Sequence, residues 1–292
     1  MDPLDRQKHV IESFAAVCER DARIVAAFVG GSFATGRADA FSDVDLYVIV
    51  RTDAYDRFLA GHREFFKRFV VPVFLEHFDG FEFDMFVFIL EDGVQGELGI
   101  ARPDHFMHIH GGPFEALVDK EGLLEGAAFP RQGPTEEQQR ETLRETLHWF
   151  WRDVSLYGVA MARRRLWTAA GYLASMRRRC IDLARLEADF GAWANGYEKL
   201  EEAIKREVLA DLERSFPVFD GGAMAEAVDC LIAFYRRVAP ELARKHGVDY
   251  PLSLEEAVLR ALSKQLAHGR GVRGALDQGS TPNLCRKKRE HL

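Results

Sequence analysis

Two aspartates, Asp43 and Asp45, are the side chains of this sequence that are best placed to do chemistry together. They directly precede the apolar run Leu46–Val50, which predicts a buried strand. Residues two apart in a strand point to the same face, so the two carboxylates would converge. Neighbouring carboxylates repel each other unless a cation lies between them. Mg²⁺ suits this pair, because it prefers oxygen ligands and is commonly held by one or two carboxylates together with substrate phosphates.

A glycine turn precedes the aspartates. Gly30 and Gly31 end the apolar run Ile24–Val29, which predicts another buried strand, and Ser32 follows them. Glycine permits positive φ and lets a ligand approach the backbone closely. The Ser32 hydroxyl and the following N–H groups would then form a cradle for phosphate. The stretch GGSFATGR has neither the Lys-Ser/Thr ending of a Walker A loop nor G-x-G-x-x-G spacing.

An alternative interpretation of both features is structural. Asp43 and Asp45 would then be the solvated face of an edge strand, and Gly30-Gly31 an ordinary turn. Because aspartate is depleted in strands, the pairing of two aspartates with a glycine-serine turn favours the functional interpretation.

These residues resemble the polymerase-β-like nucleotidyltransferase superfamily, whose signature is Gly-Ser, a short helix and Asp-x-Asp at the opening of a strand. Gly31-Ser32 and Asp43-Val44-Asp45 match it. The resemblance implies a third acid, flanked by apolar residues, on a neighbouring strand. Asp84 fits this description, with Glu82 on the same strand face as the fallback. Either would join the metal and take the proton of an acceptor hydroxyl as general base. The other interpretation is that both acids only solvate a strand end.

Length and composition predict about two domains with a full core. The chain has 292 residues, of which 47% are hydrophobic and 29% charged, without an apolar run long enough to span a membrane. The start MDPLDRQKHV lacks the features of a secretory signal or transit peptide. Four cysteines without CxxC spacing favour free thiols, so we expect a cytoplasmic protein.

Charge is distributed unevenly along the chain. Residues 1–130 hold 12 Lys/Arg and 23 Asp/Glu, a net charge of −11, whereas the remainder holds 27 and 23, a net charge of +4. An acidic domain repels a nucleic-acid backbone, so we expect no nucleic-acid partner. A small, cationic acceptor is compatible with this charge.

Periodicity changes near residues 127–134 (AAFPRQGP), where we predict a domain boundary. Before it, residues 1–128 would form a nucleotidyltransferase domain built on a mixed sheet with helices. After it, helical spacing over residues 135–266 predicts an all-α bundle, which Thr135 and Gln138 would open with a capping box. Residues 267–292 are Gly-rich and polar, which favours a disordered tail. The fold class is therefore α+β.

Nucleotide contacts are expected from both domains. Arginines 163–165 and 177–179 lie on successive helical segments, and two interpretations stay open: the arginines are solvated, or one or more of them reach across an interdomain cleft to the triphosphate. The full set of predicted nucleotide-binding residues is Gly30, Gly31, Ser32, Arg37, Ser42 and Arg163. The metal ligands would be Asp43, Asp45 and Asp84.

The whole chain resembles the lincosamide nucleotidyltransferases and their relatives, the aminoglycoside adenylyltransferases. The resemblance rests on the head motifs and on a helical half that begins near TEEQQRETL and carries RRRLWTAAGYLASMRRRCIDLARL. It implies Mg²⁺-dependent transfer of a nucleoside monophosphate, from ATP by expectation, to a hydroxyl of a small antibiotic, and hence resistance. A lincosamide is the first expected acceptor and an aminoglycoside the second, while a homodimer stays open. Two rival hypotheses are a nucleotidyltransferase that modifies a protein, as antitoxin-type enzymes do, and a catalytically silent binding module.

Overall fold

The computed structural model describes residues 3–79, 82–130, 133–192 and 195–276 of the chain. The chain divides into two compact units, Met1–Gln132 and Gly133–Leu292. In the described residues no helix is both long enough and apolar enough to cross a membrane.

A mixed sheet organises the first unit. Within the described residues its six strands are β1 (Ile24–Val29), β2 (Val44–Val50), β3 (Phe74–Phe78), β4 (Asp84–Ile89), β5 (Gln95–Ala101) and β6 (Glu115–Asp119). They lie in the order β3-β4-β5-β2-β1-β6. The pair β2–β5 is parallel, and the other neighbouring pairs are antiparallel. The predicted buried strands β1 and β2 are confirmed, and both lie in the middle of the sheet.

Helices supply the cover for one face of this sheet. They are α1 (Pro3–Arg20), α2 (Gly31–Ala34), α3 (Tyr55–Ala60) and α4 (His62–Lys67). Phe14, Phe58 and Phe65 from these helices are fully or almost fully buried against Val44 and Leu46 of β2. We call this cluster the helix-side core.

The opposite face of the sheet has its own apolar cluster, the loop-side core, to which the segments before and after β6, residues 102–114 and 120–130, contribute. Phe28 of β1 and Tyr47 of β2 pack there with Ile109 and Phe129. Side chains of β2 therefore alternate, with Val44, Leu46 and Val48 in the helix-side core and Tyr47 and Ile49 in the loop-side core. This alternation decides which acids can meet.

The second unit is all-helical, as predicted. Its helices are α5 (Glu136–Ala162), α6 (Leu166–Ala188), α7 (Leu200–Ala203), α8 (Arg206–Glu213), α9 (Gly221–His246) and α10 (Leu252–Leu276). Helix α5 packs against α6, α9 and α10, and α6 packs against α9. The capping box is confirmed, because the Thr135 hydroxyl accepts from the Gln138 N–H and the Gln138 side chain accepts from the Thr135 N–H.

The C-terminal boundary of this unit needs a correction. We predicted a disordered tail from residue 267, but α10 continues to Leu276. Residues 267–276 contain glycines but no proline, so the backbone hydrogen bonds of the helix can continue through them. The rest of the predicted tail, residues 277–292, lies outside the described part of the chain.

Candidate active site

The two aspartates lie at the start of β2. Asp43 is exposed just before the strand, and Asp45 is half-buried within it. Tyr47 follows Asp45 by two residues on the loop-side face. Burial, and then the Asp45 carboxylate, raise the pKa of the Tyr47 hydroxyl, and Asp43 adds to this effect. Both carboxylates thus act electrostatically on the same side of the sheet.

The glycine turn lies directly on these side chains. A methyl group on Gly31 would lie 1.8 Å from Oδ2 of Asp45, so the Asp45 carboxylate occupies the space that a side chain at Gly31 would need. Gly31 also has φ +59°, the left-handed conformation that glycine adopts without strain. Gly30 differs from our expectation of a positive φ, because its φ is −109°. A side chain at this position is excluded instead by the rings of His110 and Tyr47, which lie too close to its backbone. The Gly30 N–H donates to the carbonyl of Asp45 at 2.9 Å, which ties the turn to β2.

Ser32 presents a polar atom without a partner. Its Oγ is buried, and no hydrogen-bonding group lies within reach among the described residues. An unsatisfied buried hydroxyl costs free energy, and ligand binding would recover it. Arg37 is exposed and close by, since its N–H donates to the Ser32 carbonyl at 2.9 Å. Ser32 and Arg37 therefore lie together beside the turn.

Ser42 has a different environment. Its hydroxyl accepts from the Asp39 N–H at 2.9 Å and lies 3.2 Å from Asp39 Oδ1, so it closes the loop that leads to Asp43. The Ser42 carbonyl accepts from the side chain of Gln7 on α1. These contacts fix the entry of β2.

The arginine segments belong to the helical unit. Arg163 is exposed at the C-terminal end of α5, and its role toward a nucleotide stays a prediction. Arg177 is buried and donates to the Ser215 hydroxyl at 2.8 Å, with Phe216 against its guanidinium. Arg178 pairs with Asp182 one turn along α6. Arg177 and Arg178 therefore stabilise the helical unit.

Asp84 does not meet the aspartates of β2, which corrects our expectation of a third metal ligand there. It pairs in register with Ile100 of β5, and Ile100 pairs with Val48 of β2, a helix-side residue. Asp84 therefore points to the face opposite Asp45. There its carboxylate accepts from the Tyr55 hydroxyl and lies 2.7 Å from Nε2 of His77.

The fallback acid, Glu82, is exposed ahead of β4. Its Oε2 lies 3.8 Å from Nε2 of His108 in the loop after β5. His105 and His108 are exposed in that loop.

Glu97 of β5 is the acid that sequence reasoning missed. It is the direct partner of Asp45 across the parallel pair β2–β5, and it also pairs with Val87 of β4. Burial is the main cause that raises the pKa of Glu97, and the nearby Asp43 raises it further. The signal was the stretch Gly96-Glu97-Leu98, an acid between non-polar residues, in a segment whose glycines hide its strand character.

The donor chemistry of this face fits a magnesium ion. Asp43, Asp45 and Glu97 offer carboxylate oxygens from one side of the sheet. Within the described residues no group of three or more His, Cys, Asp or Glu side chains is gathered closely enough to hold a metal by itself. A Mg²⁺ ion is commonly held by one or two carboxylates and completes its coordination with substrate phosphates.

A mixed sheet with Asp-x-Asp beside a Gly-Ser turn, joined to a helical unit, is the architecture of a nucleotidyltransferase, and this protein is an enzyme of that class. The chain belongs to the streptomycin adenylyltransferase family, whose model matches residues 4–265. The match supports the aminoglycoside branch of the resemblance seen in the sequence.

Several solved structures are similar to the chain, including the two that follow. An aminoglycoside 6-adenyltransferase from Bacillus subtilis is 15% identical with a TM-score of 0.42, over 89% of this chain and 97% of that one. A nucleotidyltransferase-like protein from Exiguobacterium sibiricum is 11% identical with a TM-score of 0.35, over 80% and 75%. No curated protein matches the sequence significantly.

Proposed function

We propose that this protein transfers an adenylyl group from ATP to a hydroxyl of an aminoglycoside antibiotic. The observation that carries the proposal is the contact between Gly31 and the Asp45 carboxylate, with the partnerless Ser32 Oγ next to it. A phosphate bound on this turn would lie beside the carboxylates of β2. Family membership supplies the reaction class, and the geometry supplies residues that can perform it.

The turn would bind the triphosphate. Backbone N–H groups after Gly31 and the Ser32 hydroxyl are donors for phosphate oxygens, and a Cβ at Gly31 would displace the Asp45 carboxylate. Arg37 can add a guanidinium, which suits phosphate through its two parallel N–H bonds. Arg163 of the helical unit is our second candidate for this role.

Asp43 and Asp45 would hold Mg²⁺ together with the substrate phosphates, and Glu97 takes the role of the base that we first gave to Asp84. When bound, the ion neutralises the triphosphate and the charge that develops in the transition state. Held next to the phosphate turn, the two aspartates fix where the reacting end of the nucleotide can lie.

Glu97 would take the proton of the acceptor. Its raised pKa reflects a partly buried carboxylate, which is a stronger base than an exposed one. The acceptor oxygen forms a bond to the α-phosphorus as the bond to pyrophosphate breaks, and the hydroxyl proton passes to the Glu97 carboxylate.

The negative charge of residues 1–130 and the family membership of the chain both favour an aminoglycoside as the acceptor. Aminoglycosides carry several ammonium groups, and residues 1–130 have a net charge of −11, which attracts cations. A lincosamide carries a single basic amine, so it gains less from this field and becomes the second candidate. The same charge favours a small acceptor over nucleic acid.

The supply of ATP and the free thiols of Cys18, Cys180 and Cys230 favour action in the cytoplasm. A homodimer stays a prediction.

The test is a panel assay with purified full-length protein. Streptomycin, other aminoglycosides and a lincosamide are each incubated with each nucleoside triphosphate and Mg²⁺, while pyrophosphate release is followed and the antibiotic is weighed by mass spectrometry. We expect ATP-dependent addition of one adenylyl group to an aminoglycoside. Labelling of a protein in place of an antibiotic would support the antitoxin-type hypothesis. Failure with every antibiotic, although ATP binds, would support the silent module.

A further inference from the structure

The underside of the glycine turn rests on two rings. A methyl group on Gly30 would lie 2.7 Å from Cε1 and 3.1 Å from Nδ1 of His110, and 3.0 Å from Cε2 of Tyr47. A real Cβ does not lie closer than 3.0 Å to another heavy atom, so the His110 ring occupies the space that a side chain at Gly30 would need. Tyr47 is held in turn, because a methyl group on its β5 partner Gly99 would lie 2.8 Å from its Cδ1.

His110 is held by one hydrogen bond and by three neighbouring rings. Its Nε2 lies 2.9 Å from the Pro113 carbonyl, and because a carbonyl can only accept, Nε2 carries the proton. Burial lowers the pKa of His110, which favours the neutral ring with an unprotonated Nδ1 toward Gly30. The ring also packs against Tyr47, Phe28 and Phe129 with centroids 4.9, 5.7 and 5.4 Å away.

The turn is therefore held from two directions. The Gly30 N–H is bonded to the Asp45 carbonyl of β2, while the rings of His110 and Tyr47 limit how far Gly30 can move. Gly31 and Ser32 follow immediately, and they carry the contact with the Asp45 carboxylate and the partnerless hydroxyl. A small displacement of Gly30 would change the distance between the phosphate turn and the carboxylates.

We propose that His110 is a positioning residue for the nucleotide, which acts by supporting Gly30 and so fixes the phosphate turn above Asp45. This inference rests on the proposed function, because it assumes that the turn binds the triphosphate. It adds a residue from the loop after β5, outside the Gly-Ser and Asp-x-Asp motifs. A purely structural role in the loop-side core would affect stability but not ATP affinity selectively.

The experiment measures kcat and the KM values for ATP and acceptor in the full-length protein, together with ATP binding by calorimetry. His110→Ala removes the support, and His110→Phe keeps a ring of similar breadth without the Pro113 bond. Gly30→Ala is made in the wild-type, His110→Phe and His110→Ala backgrounds. His105→Ala, an exposed histidine of the same loop, is the matched control. Circular dichroism establishes that each variant is folded.

We expect His110→Ala to raise the KM for ATP about tenfold while kcat and the acceptor KM change less than about threefold, because the lost interaction positions the ground state. His110→Phe and His105→Ala should keep the KM for ATP within about threefold of wild type. Gly30→Ala should cost about tenfold in ATP affinity where the ring is present and less than about threefold in the His110→Ala background, since contacting residues couple.

Three results would overturn the inference. They are an unchanged ATP affinity in His110→Ala, a loss in His110→Phe as large as in His110→Ala, and an equal cost of Gly30→Ala in all backgrounds. Should His110→Ala not fold, His110→Leu takes its place, because its aliphatic side chain fills the loop-side core but removes the ring beside Gly30; an ATP affinity in His110→Leu equal to that of wild type would then overturn the inference. A wild-type protein that binds no ATP would reject the proposed function together with this inference, whereas the three results above reject the inference alone.

Discussion

Asp45 of β2 and Glu97 of β5 are direct partners across a parallel strand pair, with both side chains on the same face of the sheet. Neighbouring strands lie about 4.8 Å apart, so a proton acceptor on one strand lies beside a metal ligand on the next. The two residues are 52 positions apart in sequence. Their meeting depends on β5 running parallel to β2 in this register, and it defines the acidic side of the candidate site.

Removal of one acid from this pair should abolish turnover without unfolding the protein. In Asp45→Asn we expect the rate to fall by at least about 10²–10³, because the loss of a metal ligand removes electrostatic stabilisation of the transition state. Pyrophosphate release at saturating Mg²⁺ is the measurement. Asp56→Asn, a change at an exposed carboxylate of α3, is the control and should keep its rate. A near-wild-type rate in Asp45→Asn would contradict the metal assignment.

Alanine substitutions at two glycines with the same backbone conformation distinguish the effect of a close side-chain contact from the effect of backbone strain. Gly31 and Gly36 have φ +59° and +68°, but a methyl group on Gly36 would meet nothing within 4 Å. Both alanine variants carry the left-handed strain, a cost of about 1–2 kcal/mol. We expect Gly31→Ala to lose ATP binding in a calorimetric titration, because its Cβ displaces the Asp45 carboxylate. Gly36→Ala should bind ATP almost as wild type does, and equal losses would show that strain alone is responsible.

Glu97, and not Asp84, is expected to act as the general base. Glu97→Gln is expected to slow turnover by about 10²–10⁴ with ATP binding retained, in the range of general-base loss. Asp84→Asn, on the other face, should keep its rate within about threefold. The comparison is made by steady-state kinetics on both variants. A severe loss in Asp84→Asn alone would restore Asp84 as the base.

Asp84 should contribute to the stability of the folded protein and not to catalysis. Its carboxylate holds the Tyr55 hydroxyl and His77, and Tyr55 also donates to the carbonyl of Ile100 at 2.9 Å. Replacement of a partly buried, charged acceptor costs about 1–3 kcal/mol. We expect Asp84→Asn to lower the free energy of unfolding in urea by this amount. Tyr55→Phe, which removes the same hydroxyl, should destabilise the protein as well, and an unchanged urea midpoint in both would refute the role.

Asp21 should make stability depend on pH in the acidic range. Hydrogen bonds from Arg23 above all, and also from Arg68, hold the pKa of the Asp21 carboxyl well below its usual value. The unfolded chain therefore binds a proton before the folded one, so this stabilisation is present at neutral pH and is lost as pH falls below about 4. Asp21→Asn should have a lower Tm than wild type at neutral pH, and the difference should narrow in acid.

The control for this prediction is the exposed pair of Arg6 and Asp92. Asp92→Asn should change Tm less than Asp21→Asn at neutral pH, because solvent screens an exposed ion pair. A Tm difference between Asp21→Asn and wild type that is the same at every pH would contradict the ionic explanation.

Local sequence patterns were sufficient to predict the strands β1 and β2 and the start of α5. The apolar runs before Gly30 and after Asp45 became the central strands β1 and β2, since unbroken apolar runs of this length are buried in sheets. Thr135 and Gln138 opened α5 as predicted, because a capping box involves only neighbouring residues. Between α6 and α9 the chain forms two short helices, α7 and α8, which lie on both sides of Ile204 and Lys205.

The sequence by itself determined the pair Asp43 and Asp45, the glycine turn before them and the division into a sheet unit and a helical unit. Side-chain alternation on one strand follows from the backbone alone, so these expectations needed no partner strand. Only the tertiary structure decided which third acid shares their face. Asp84 and Glu97 both stand between apolar neighbours, but the register of β4 on β5 and of β5 on β2 turns Asp84 toward the helices and Glu97 toward Asp45. A shift of one residue would have reversed the two, because side chains in a strand change face at every step.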